Sequence, residues 1–404
     1  MVKDRIKNLI LDNEESMIDF RRKMHENPEL SMKEFETSKF IASFLDEIGI
    51  SYRFANPTGI IGEIKGKSDK KTVLLRADID ALPILETNDV SYKSKNEGIS
   101  HACGHDTHSA MLLTALKALN EVKDELDGIV RFVFQPGEET GEGSKAMVKD
   151  GVLDGVDNAF GAHIFTSFDS GVLGATYGQT FAANDFFNIH FKGLTSHGST
   201  PQKGVDAMVM AATFILNSQA IISREIDLAE EPVVLTFGKI HGGEVANSIC
   251  GDVYIEGGFR AFTQDSVDFV EKRLTEYANQ VAKMYRGEVE IDFNLGAAPV
   301  VIDENSGKLT QKVAAEIVGE ENVDKDIRFS GSEDFGLYLT GYDGVKGVKG
   351  SFGMIGARNS DPKTHNFNHA SDFNVDESVL KNGAMMYALY AYEYLSQDLS
   401  LIHI

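Results

Sequence analysis

The chain has 404 residues, more than one ordinary hydrophobic core organises, so its length predicts two domains. Hydrophobic residues make up 42% and charged residues 25%, as is typical of soluble globular proteins. The net charge of −23 argues against nucleic acid and anionic membranes as partners, because the summed field repels polyanions. The two cysteines, Cys103 and Cys250, exclude a disulfide framework. We find no signal-peptide pattern and no membrane-spanning apolar run, which predicts a cytoplasmic protein.

The first half of the chain alternates between helical and strand patterns. Helices are predicted over 3–26, 31–47 and 107–121, and apolar strands over 71–76 and 128–135. The second helix is expected to begin with a capping box, because Glu34 follows Ser31 by three residues. The alternation continues to Ile164 and predicts an α/β domain with a mostly parallel sheet and helices on both faces.

The pattern changes near Asn184. Strand patterns follow over 186–191, 233–238, 251–256 and 288–293, with helical patterns near 208–214 and 264–286. This β-α-β-β-α-β order predicts a ferredoxin-like α+β insert over 184–296. The insert would interrupt a catalytic metal-binding domain made of 1–183 and 297–404. A free sheet edge or face on such an insert predicts a homodimer formed through it.

Metal-binding side chains follow several predicted strands. Residues 101–108 read His-Ala-Cys-Gly-His-Asp-Thr-His, the strand over 128–135 precedes Pro-Gly-Glu-Glu, and a later strand ends in Gly-Ala-His at 161–163. Open α/β sheets place their sites at the carboxyl ends of strands, so these segments are expected to converge. The candidate ligands are Cys103, His105, Glu139 and His163, joined near the C-terminus by either His365 or His369.

Five ligands of mixed type suit a pair of borderline divalent ions better than one tetrahedral structural zinc. Mn²⁺ and Zn²⁺ both suit these donors, and Co²⁺ or Ni²⁺ are compatible with them. The adjacent carboxylates of Glu138 and Glu139 cannot both bind one ion comfortably. One is therefore expected to hold metal while the other transfers protons, and Glu138 is the candidate for proton transfer.

Each of these residues has a plainer interpretation when taken alone. A lone cysteine is most often a small buried hydrophobe, a lone histidine is most often structural, and paired glutamates most often lie on the surface. Asp78 and Asp80 could form turns, or each could orient a ligand imidazole or tune Glu138. Asp106 and His108 carry the same ambiguity, Asp106 also as a helix N-cap. The joint occurrence of the motifs at strand ends favours the metal site.

The insert carries polar groups of its own. His197 lies in a turn-rich segment, Asn247 ends a glycine loop, and Arg260 closes a predicted strand. Imidazole, amide and guanidinium groups are the donors expected to hold a carboxylate and a developing oxyanion. Taken singly, each would more often be a surface residue.

Together these segments resemble the aminoacylase/carboxypeptidase-type metallopeptidase family. The resemblance is closest to its amidohydrolase subgroup, which includes hippurate hydrolases, indoleacetyl-amino-acid hydrolases and N-acetyldiaminopimelate deacetylases. It extends over nearly the whole chain, and the matching segments are 25–30, 76–83, 103–106, 135–139, 161–163, 196–197, 330–335 and the region of His369. The resemblance implies a two-metal, zinc-peptidase-like catalytic domain and an inserted lid domain that dimerises.

The resemblance also implies roles for individual residues. It makes Cys103, His105, Glu139, His163 and His369 the metal ligands. It makes Glu138 the general base and acid, and His197 the group that polarises the scissile carbonyl from the partner subunit. Asp80, read from its position after a strand, is counted with them as catalytic because it would orient a ligand imidazole or tune Glu138. Asn247 and Arg260 would hold the substrate carboxylate. Two departures stand out, because the family's proline is missing after His369, which keeps His365 in competition, and Cys250 replaces the usual proline after Ile249.

The sequence therefore predicts a metal-dependent amidohydrolase. Its substrates would be N-acyl-L-amino acids with acetyl, benzoyl or similar groups, cleaved by a metal-activated water with Glu138 as base and acid. A dipeptidase or aminopeptidase on the same scaffold is the first alternative. A non-catalytic binding protein is the second, although a complete ligand set together with Glu138 argues against it.

Overall fold

A computed structural model describes residues 1–397 of the chain. The helices are α1 (Val2–Leu11), α2 (Glu14–His25), α3 (Phe35–Glu47), α4 (His105–Glu121), α5 (Gly143–Lys149), α6 (Ala207–Ala220), α7 (Gln264–Tyr285), α8 (Glu304–Val318), α9 (Gly336–Thr340) and α10 (Leu380–Ser396). Within residues 1–397, none of these helices combines the length and the hydropathy that crossing a bilayer requires.

The strands include long central ones and several two-residue pairs. They are β1 (Tyr52–Ala55), β2 (Gly59–Lys65), β3 (Thr72–Asp78), β4 (Ile129–Gln135), β5 (Asn158–Asp169), β6 (Leu173–Ala175), β7 (Gly178–Phe181), β8 (Ala183–Lys192), β9 (Ser196–His197), β10 (Val234–Gly242), β11 (Ser248–Ile249), β12 (Asp252–Ala261), β13 (Glu288–Ala297), β14 (Val300–Ile302), β15 (Val323–Asp324), β16 (Gly341–Tyr342), β17 (Val345–Lys346) and β18 (Lys349–Arg358).

The chain divides into two compact units. Among the described residues, the first unit consists of 1–178, 302–327 and 337–397, and the second of Gln179–Val301 and Arg328–Gly336. The boundaries expected at 184 and 296 both fall inside the second unit. That unit also includes Arg328–Gly336, a stretch that sequence patterning places in the catalytic domain.

An eight-stranded sheet forms the centre of the first unit, in the order β1-β2-β4-β3-β5-β18-β6-β15. The four central strands, β4, β3, β5 and β18, run parallel to one another, while β1, β2 and β6 pair antiparallel with their neighbours toward the centre. Every residue of β3 is buried, as expected for a strand inside a parallel sheet. The predicted α/β class with a mostly parallel sheet is confirmed.

Helices α4 and α10 pack on each other and on β3, and they bury long apolar faces. Sequence periodicity predicts α4 to within two residues of its observed start. The stretch 3–26 is different, because it holds two helices, with Asp12 and Asn13 between them. Asn13 donates its side-chain amide to Leu9 O, which satisfies a carbonyl at the end of α1.

The predicted capping box at the start of α3 does not form. The helix begins at Phe35, and the carboxylate that receives hydrogen bonds from its first turn belongs to Glu29, which accepts from the N–H groups of Glu36 and Thr37. The Ser31 hydroxyl donates to Asp80 instead, and the Glu34 carboxylate turns away from α3. Tertiary contacts thus override a local capping pattern.

The second unit is built on a four-stranded antiparallel sheet in the order β10-β12-β8-β13. The chain order β8-α6-β10-β12-α7-β13 is the predicted β-α-β-β-α-β arrangement. Alternate residues of β8 are buried, and Phe187, Ile189 and Phe191 form a core with α6 and α7. This core is separate from that of the first unit.

Candidate metal centre and active site

A tight turn before α4 brings Cys103 and His105 together. Gly104 between them has a φ of 97°, and a Cβ there would lie 2.6 Å from Ile164 Cγ2 on β5, so a larger residue does not fit. The turn packs so closely on β5 that Cys103 Sγ lies 3.3 Å from His163 Nε2. All three candidate ligands are buried.

Asp80 orients the imidazole of His105. The Nδ1 atom of His105 lies 3.0 Å from Asp80 Oδ1. This contact directs Nε2 toward the two glutamates, 3.9 Å from Glu138 Oε2 and 3.8 Å from Glu139 Oε1. A carboxylate on one ring nitrogen fixes the tautomer that leaves the other nitrogen's lone pair available for a metal. Asp80 therefore acts through His105.

Glu138 and Glu139 lie on the short turn that follows β4. Gly137 enters this turn with a φ of 59°, and the backbone N–H of Glu139 donates to Asp80 Oδ2 over 3.1 Å. Each glutamate side chain is 11% exposed. One oxygen of Asp80 thus contacts the turn and the other contacts the His105 ring. Asp80 therefore fixes the position of the turn relative to that ring.

The structure distinguishes the two C-terminal histidines. His369 Nε2 lies 3.3 Å from Glu139 Oε1, and the backbone N–H of His369 donates to Ala102 O over 2.7 Å, next to Cys103. The ring of His365 instead contacts the backbone oxygen of Asn359 over 2.8 Å. Among residues 1–397, His369 joins a group of candidate ligands and His365 does not.

Two groups of candidate ligands share Cys103. The ligand atoms of Cys103, His105 and His163 lie within 4.8 Å of one another, as do those of Cys103, Glu139 and His369. Burial raises the pKa of the Cys103 thiol well above its usual value, and Glu139 adds to the rise, so a thiolate here requires a nearby cation. In the described part of the chain, His105 Nε2 and Glu139 Oε1 are buried without a hydrogen-bond partner. This donor set fits divalent metal ions.

Both ring nitrogens of His108, the last histidine of the 101–108 segment, contact other groups of the protein. Its Nδ1 lies 2.5 Å from Asp78 Oδ1, and its Nε2 accepts from the backbone N–H of Ile164 over 2.9 Å. With both ring nitrogens used, His108 has no lone pair left for a metal. Burial opposes ionisation of Asp78, but His105, His108 and Arg76 hold the pKa of its carboxyl well below the usual range. Asp78 therefore orients His108, which fixes β5 beside His163.

A buried charge network lies behind the start of α4. Asp106 Oδ2 contacts Arg21 Nε at 2.7 Å and His25 Nδ1 at 2.8 Å, and His25 Nε2 lies 3.2 Å from Glu86 Oε1. Burial favours the neutral acid, yet Arg21 and His25 hold the pKa of Asp106 far below its usual range. Asp106 makes no side-chain cap of α4, whose N-cap is Gly104. The N-cap interpretation of Asp106 is wrong.

Ser31 and Glu34, which their spacing assigned to a helix cap, contact the site instead. The Ser31 hydroxyl donates to Asp80 Oδ2 over 2.7 Å, and Glu34 Oε1 accepts from the N–H of Gly137 over 2.9 Å. Ser31 also lies next to the 25–30 segment of the family resemblance. That adjacency was the only signal in the sequence that connected these residues with the site.

The second unit holds the other three candidates. His197 lies on β9, which pairs with β11, and the N–H of Gly198 donates to Asn247 O over 2.7 Å, so the His197 and Asn247 segments adjoin. His197 and Asn247 are exposed. Arg260 donates to Ser332 Oγ over 3.0 Å and lines a groove of about 430 Å³ on the open face of the sheet. Arg260 thus lies on a different strand from His197 and is not part of the adjoining His197 and Asn247 segments.

Comparison with known proteins agrees with this geometry. Residues 74–393 match the model of peptidase family M20/M25/M40. Thermostable carboxypeptidase 2 of Saccharolobus solfataricus is 36% identical over 97% of this chain and 98% of its own length. IAA-amino acid hydrolase ILR1-like 4 of Arabidopsis thaliana is 35% identical over 94% and 86%. N-acetyl-L-cysteine deacetylase of Bacillus subtilis is 36% identical over 91% and 85%.

Solved structures share the fold over nearly the full length. A crystal structure from methicillin resistant Staphylococcus aureus superposes with a TM-score of 0.91 at 30% identity, covering 98% of this chain and 100% of the other. The Bacillus subtilis YXEP protein, described as a dinuclear metal binding peptidase, has a TM-score of 0.81 at 30% identity and coverages of 95% and 99%. The family resemblance of the sequence motifs is therefore confirmed. The chain belongs to peptidase family M20/M25/M40 and is a hydrolase that acts on amide or peptide bonds.

Proposed function

We propose that this hydrolase is a metal-dependent amidohydrolase that cleaves N-acyl-L-amino acids to a carboxylate and a free amino acid. The observation that carries the proposal is the pair Glu138 and Glu139, both directed at the unsatisfied Nε2 of His105 beside Cys103. The names of two relatives, an N-acetyl-L-cysteine deacetylase and an IAA-amino acid hydrolase, support this substrate class.

The metal-holding part of the proposal involves five residues. We propose that two divalent ions, Mn²⁺ or Zn²⁺ with Co²⁺ or Ni²⁺ as compatible substitutes, are held by Cys103, His105, Glu139, His163 and His369. The two overlapping groups around Cys103 support two ions rather than one, as does the dinuclear description of the Bacillus subtilis relative. Bound there, the ions supply Lewis acidity toward a carbonyl and a water.

Glu138 is proposed as the group that moves the proton. Its carboxylate takes a proton from the attacking water and returns it to the leaving nitrogen. The geometry supports this division of labour, because Glu139 is directed at His369 and Cys103 while Glu138 belongs to neither of the two groups that share Cys103. Low exposure of both side chains keeps bulk water from competing for the proton.

Substrate recognition is proposed to involve the second unit. His197 would polarise the scissile carbonyl, in the site of the partner subunit, and Asn247 with Arg260 would hold the substrate carboxylate. The exposure of His197 and Asn247 supports a role toward something other than their own unit. Burial lowers the pKa of Arg260, and its guanidinium has a hydroxyl rather than a carboxylate as its hydrogen-bond partner at Ser332, which suits capture of an anion.

A homodimer through the second unit is part of the same proposal. Strand β10 is an edge of the four-stranded sheet, and it exposes Val234 and Ile240 at 55% and 53%. Helix α6, which contacts β10, exposes Met208 and Leu216 at 45% and 74%. Apolar residues on an unpaired edge support pairing with a second copy. Light scattering of the purified protein tests this, and a monomeric mass would contradict it.

We also propose a reducing compartment, the cytoplasm, as the site of action. A catalytic metal site that depends on the Cys103 thiolate loses a ligand if that sulfur is oxidised. Cys103 and Cys250 are both free, which supports this proposal.

The decisive experiment compares substrates and metals together. The purified enzyme is stripped of metal, reloaded with Mn²⁺, Zn²⁺ or Co²⁺, and assayed on acetyl-, benzoyl- and indoleacetyl-amino acids beside the matching dipeptides. Metal-restored cleavage of the acyl substrates supports the proposal. Turnover of peptides alone would replace it with a peptidase, the candidate favoured by the relative named as a carboxypeptidase. Metal binding without any turnover would favour a binding protein.

A further inference from the structure

Residues 31–34 have an unusual conformation between the first helices and α3. Met32 has a φ of 63°, in the left-handed region that non-glycine residues rarely adopt. Glu34 is completely buried, although it stands beside the solvent-exposed residue Phe35. A strained backbone next to a buried carboxylate is retained where surrounding contacts over-determine it.

Three donors surround the Glu34 carboxylate. Its Oε1 accepts from the backbone N–H groups of Met32, at 2.8 Å, and Gly137, at 2.9 Å. Its Oε2 accepts from the Thr58 hydroxyl at 2.5 Å. Burial raises the pKa of Glu34 to about 7, and Asp80 adds to the rise. Hydrogen bonds to the ionised oxygens offset this desolvation, so the carboxylate depends on these partners.

The bond to Gly137 reaches the turn that carries Glu138. A Cβ on Gly137 would lie 2.5 Å from Met32 Sδ, so the turn packs directly on residues 31–34. The carbonyl of Gly137 accepts from the N–H of Gly143, which closes the turn from its other side at 3.1 Å. Glu34 therefore holds the one backbone N–H that immediately precedes the proposed proton-transfer residue.

The same segment reaches the other end of the turn through Asp80. The Ser31 hydroxyl donates to Asp80 Oδ2, the oxygen that also accepts from the Glu139 N–H. Two residues three positions apart thus hold both ends of the turn, Glu34 directly and Ser31 through Asp80. Neither side chain bonds the first turn of α3, whose N–H groups are held by the Glu29 carboxylate.

We propose that Glu34, assisted by Ser31, is a positioning residue that sets the direction of the Glu138 carboxylate by holding the Gly137–Glu139 turn. The inference rests on the proposed role of Glu138 in proton transfer. Glu34 does not touch the reacting atoms, and its effect on the reaction passes through the turn. Its loss leaves the metal ligands in place and lets the Glu138 carboxylate leave its working direction, which slows the chemical step more than it weakens substrate binding.

The test compares Glu34→Ala, Glu34→Gln and Ser31→Ala with Glu29→Ala. Glu29 is the matched control, because its carboxylate also accepts two backbone N–H groups in this region but holds α3 rather than the turn. We expect kcat to fall about 30- to 100-fold in Glu34→Ala, with KM changed less than about twofold and metal content unchanged. Glu34→Gln keeps an oxygen for Gly137 and should recover most of that loss. Glu29→Ala should lower Tm while kcat stays within about twofold.

A double-mutant comparison separates positioning from general destabilisation. If Glu34 acts through Glu138, adding Glu34→Ala to Glu138→Gln costs less than about threefold more in kcat, because the residue being positioned no longer works. Additive losses would overturn the inference. If Glu34→Ala does not fold, Ser31→Ala carries the test, and a kcat loss no larger than that of Glu29→Ala would overturn the inference.

Failure of the proposed function gives a different result. In that case Glu138→Gln itself retains near-normal kcat, whatever the Glu34 variants do. An inactive Glu138→Gln combined with fully active Glu34 and Ser31 variants would leave the proposed function intact and remove only the positioning role.

Discussion

The candidate residues of the two units differ in how they are held. In the first unit, His105 and Asp80 are buried, and each is fixed by hydrogen bonds to other buried side chains or to backbone groups. In the second unit, His197 and Asn247 are exposed, and the Nδ1 of His197 contacts the hydroxyl of the nearby Ser199 at 2.7 Å and accepts from its backbone N–H at 3.2 Å. The first arrangement prepares a fixed geometry for chemistry, whereas the second leaves side chains available to a partner or ligand.

This difference teaches where substitutions should separate activity from stability. Residues held by buried networks contribute to both, because removing one leaves its partners unsatisfied. Exposed residues contribute to binding with little effect on folding. Glu138 stands between these cases, since its side chain is 11% exposed and lies 3.9 Å from the buried ring of His105.

The largest effect is expected from Glu138→Gln. The amide cannot accept the proton of the attacking water, so kcat should fall by about 10³-fold or more, while metal content and Tm stay near those of the unchanged protein. Steady-state kinetics with elemental analysis of bound metal measures this. Glu142→Gln, an exposed glutamate four residues away that pairs with Lys145, is the matched control and should be fully active. Near-normal turnover in Glu138→Gln would end the proton-transfer proposal.

The next effect is on stability and concerns Asp106. Asp106→Ala leaves Arg21 buried beside an unfilled space and should lower the free energy of unfolding by about 3–5 kcal/mol. Urea denaturation monitored by circular dichroism measures the change. Glu125→Ala breaks the exposed pair with Arg5, whose side chains are 42% and 53% exposed, and should cost less than about 1 kcal/mol. Equal losses in the two variants would show that burial of the network has no special weight.

How far the sequence predicts the molecule depends on whether the cause is local. The strand over 128–135 and helix α4 follow from apolar periodicity, and the convergence of Cys103 with His163 follows from the rule that sites lie at strand ends. The spacing of Ser31 and Glu34 predicted a capping box, yet Glu34 bonds a residue 103 positions away. No local pattern contains a contact of that separation.

The histidines of the 101–108 segment show the same limit. His105 and His108 have the same side chain and lie in one segment, and the sequence made His105 a ligand candidate but left open whether His108 forms a turn or orients a neighbouring group. The difference between them lies in the N–H of Ile164, which occupies the Nε2 of His108 while the Nε2 of His105 has no hydrogen-bond partner in the described chain. The residue that occupies His108 lies on β5, 56 positions away in the chain, so this difference between the two histidines appears only when β5 packs against α4.

A smaller effect, on binding alone, is expected in the second unit. His197→Ala should lower kcat/KM for an acyl-amino acid by about 10- to 100-fold, with the free energy of unfolding changed by less than about 0.5 kcal/mol. Gln280→Ala is the control, since it removes an exposed polar side chain of the same unit that lies on α7, away from the proposed dimer edge, and has no proposed contact with substrate. A loss of stability in His197→Ala as large as the loss of activity would remove the contrast between the units.

Asp185 is the exception inside the second unit, and its substitution should have the smallest effect. It is completely buried on the core side of β8, where its carboxyl group faces that of Glu271. Burial raises the pKa of Asp185 to about 7, and the facing carboxyl group of Glu271 adds to the rise. The folded state therefore holds a proton that the unfolded chain releases near its usual pKa of about 4.

The sign of the resulting pH dependence follows from this proton. A pKa raised on folding means that Asp185 makes the folded state progressively less stable as pH rises from about 4 to about 7, and the penalty stays constant above that. Asp185→Asn removes the titration, so its gain in free energy of unfolding over the unchanged protein should be larger by at least about 1 kcal/mol at about pH 8 than at about pH 4, where the carboxyl is largely protonated in both states. Denaturant melts at both pH values measure the difference. Glu231→Gln in the same unit, a carboxylate that already accepts a hydroxyl from Ser266, should show no such gain with pH. If the Asp185→Asn difference is the same at both pH values, the buried acid carries no proton near neutrality. Asp185 would then not differ from the exposed candidate residues of the second unit by its protonation.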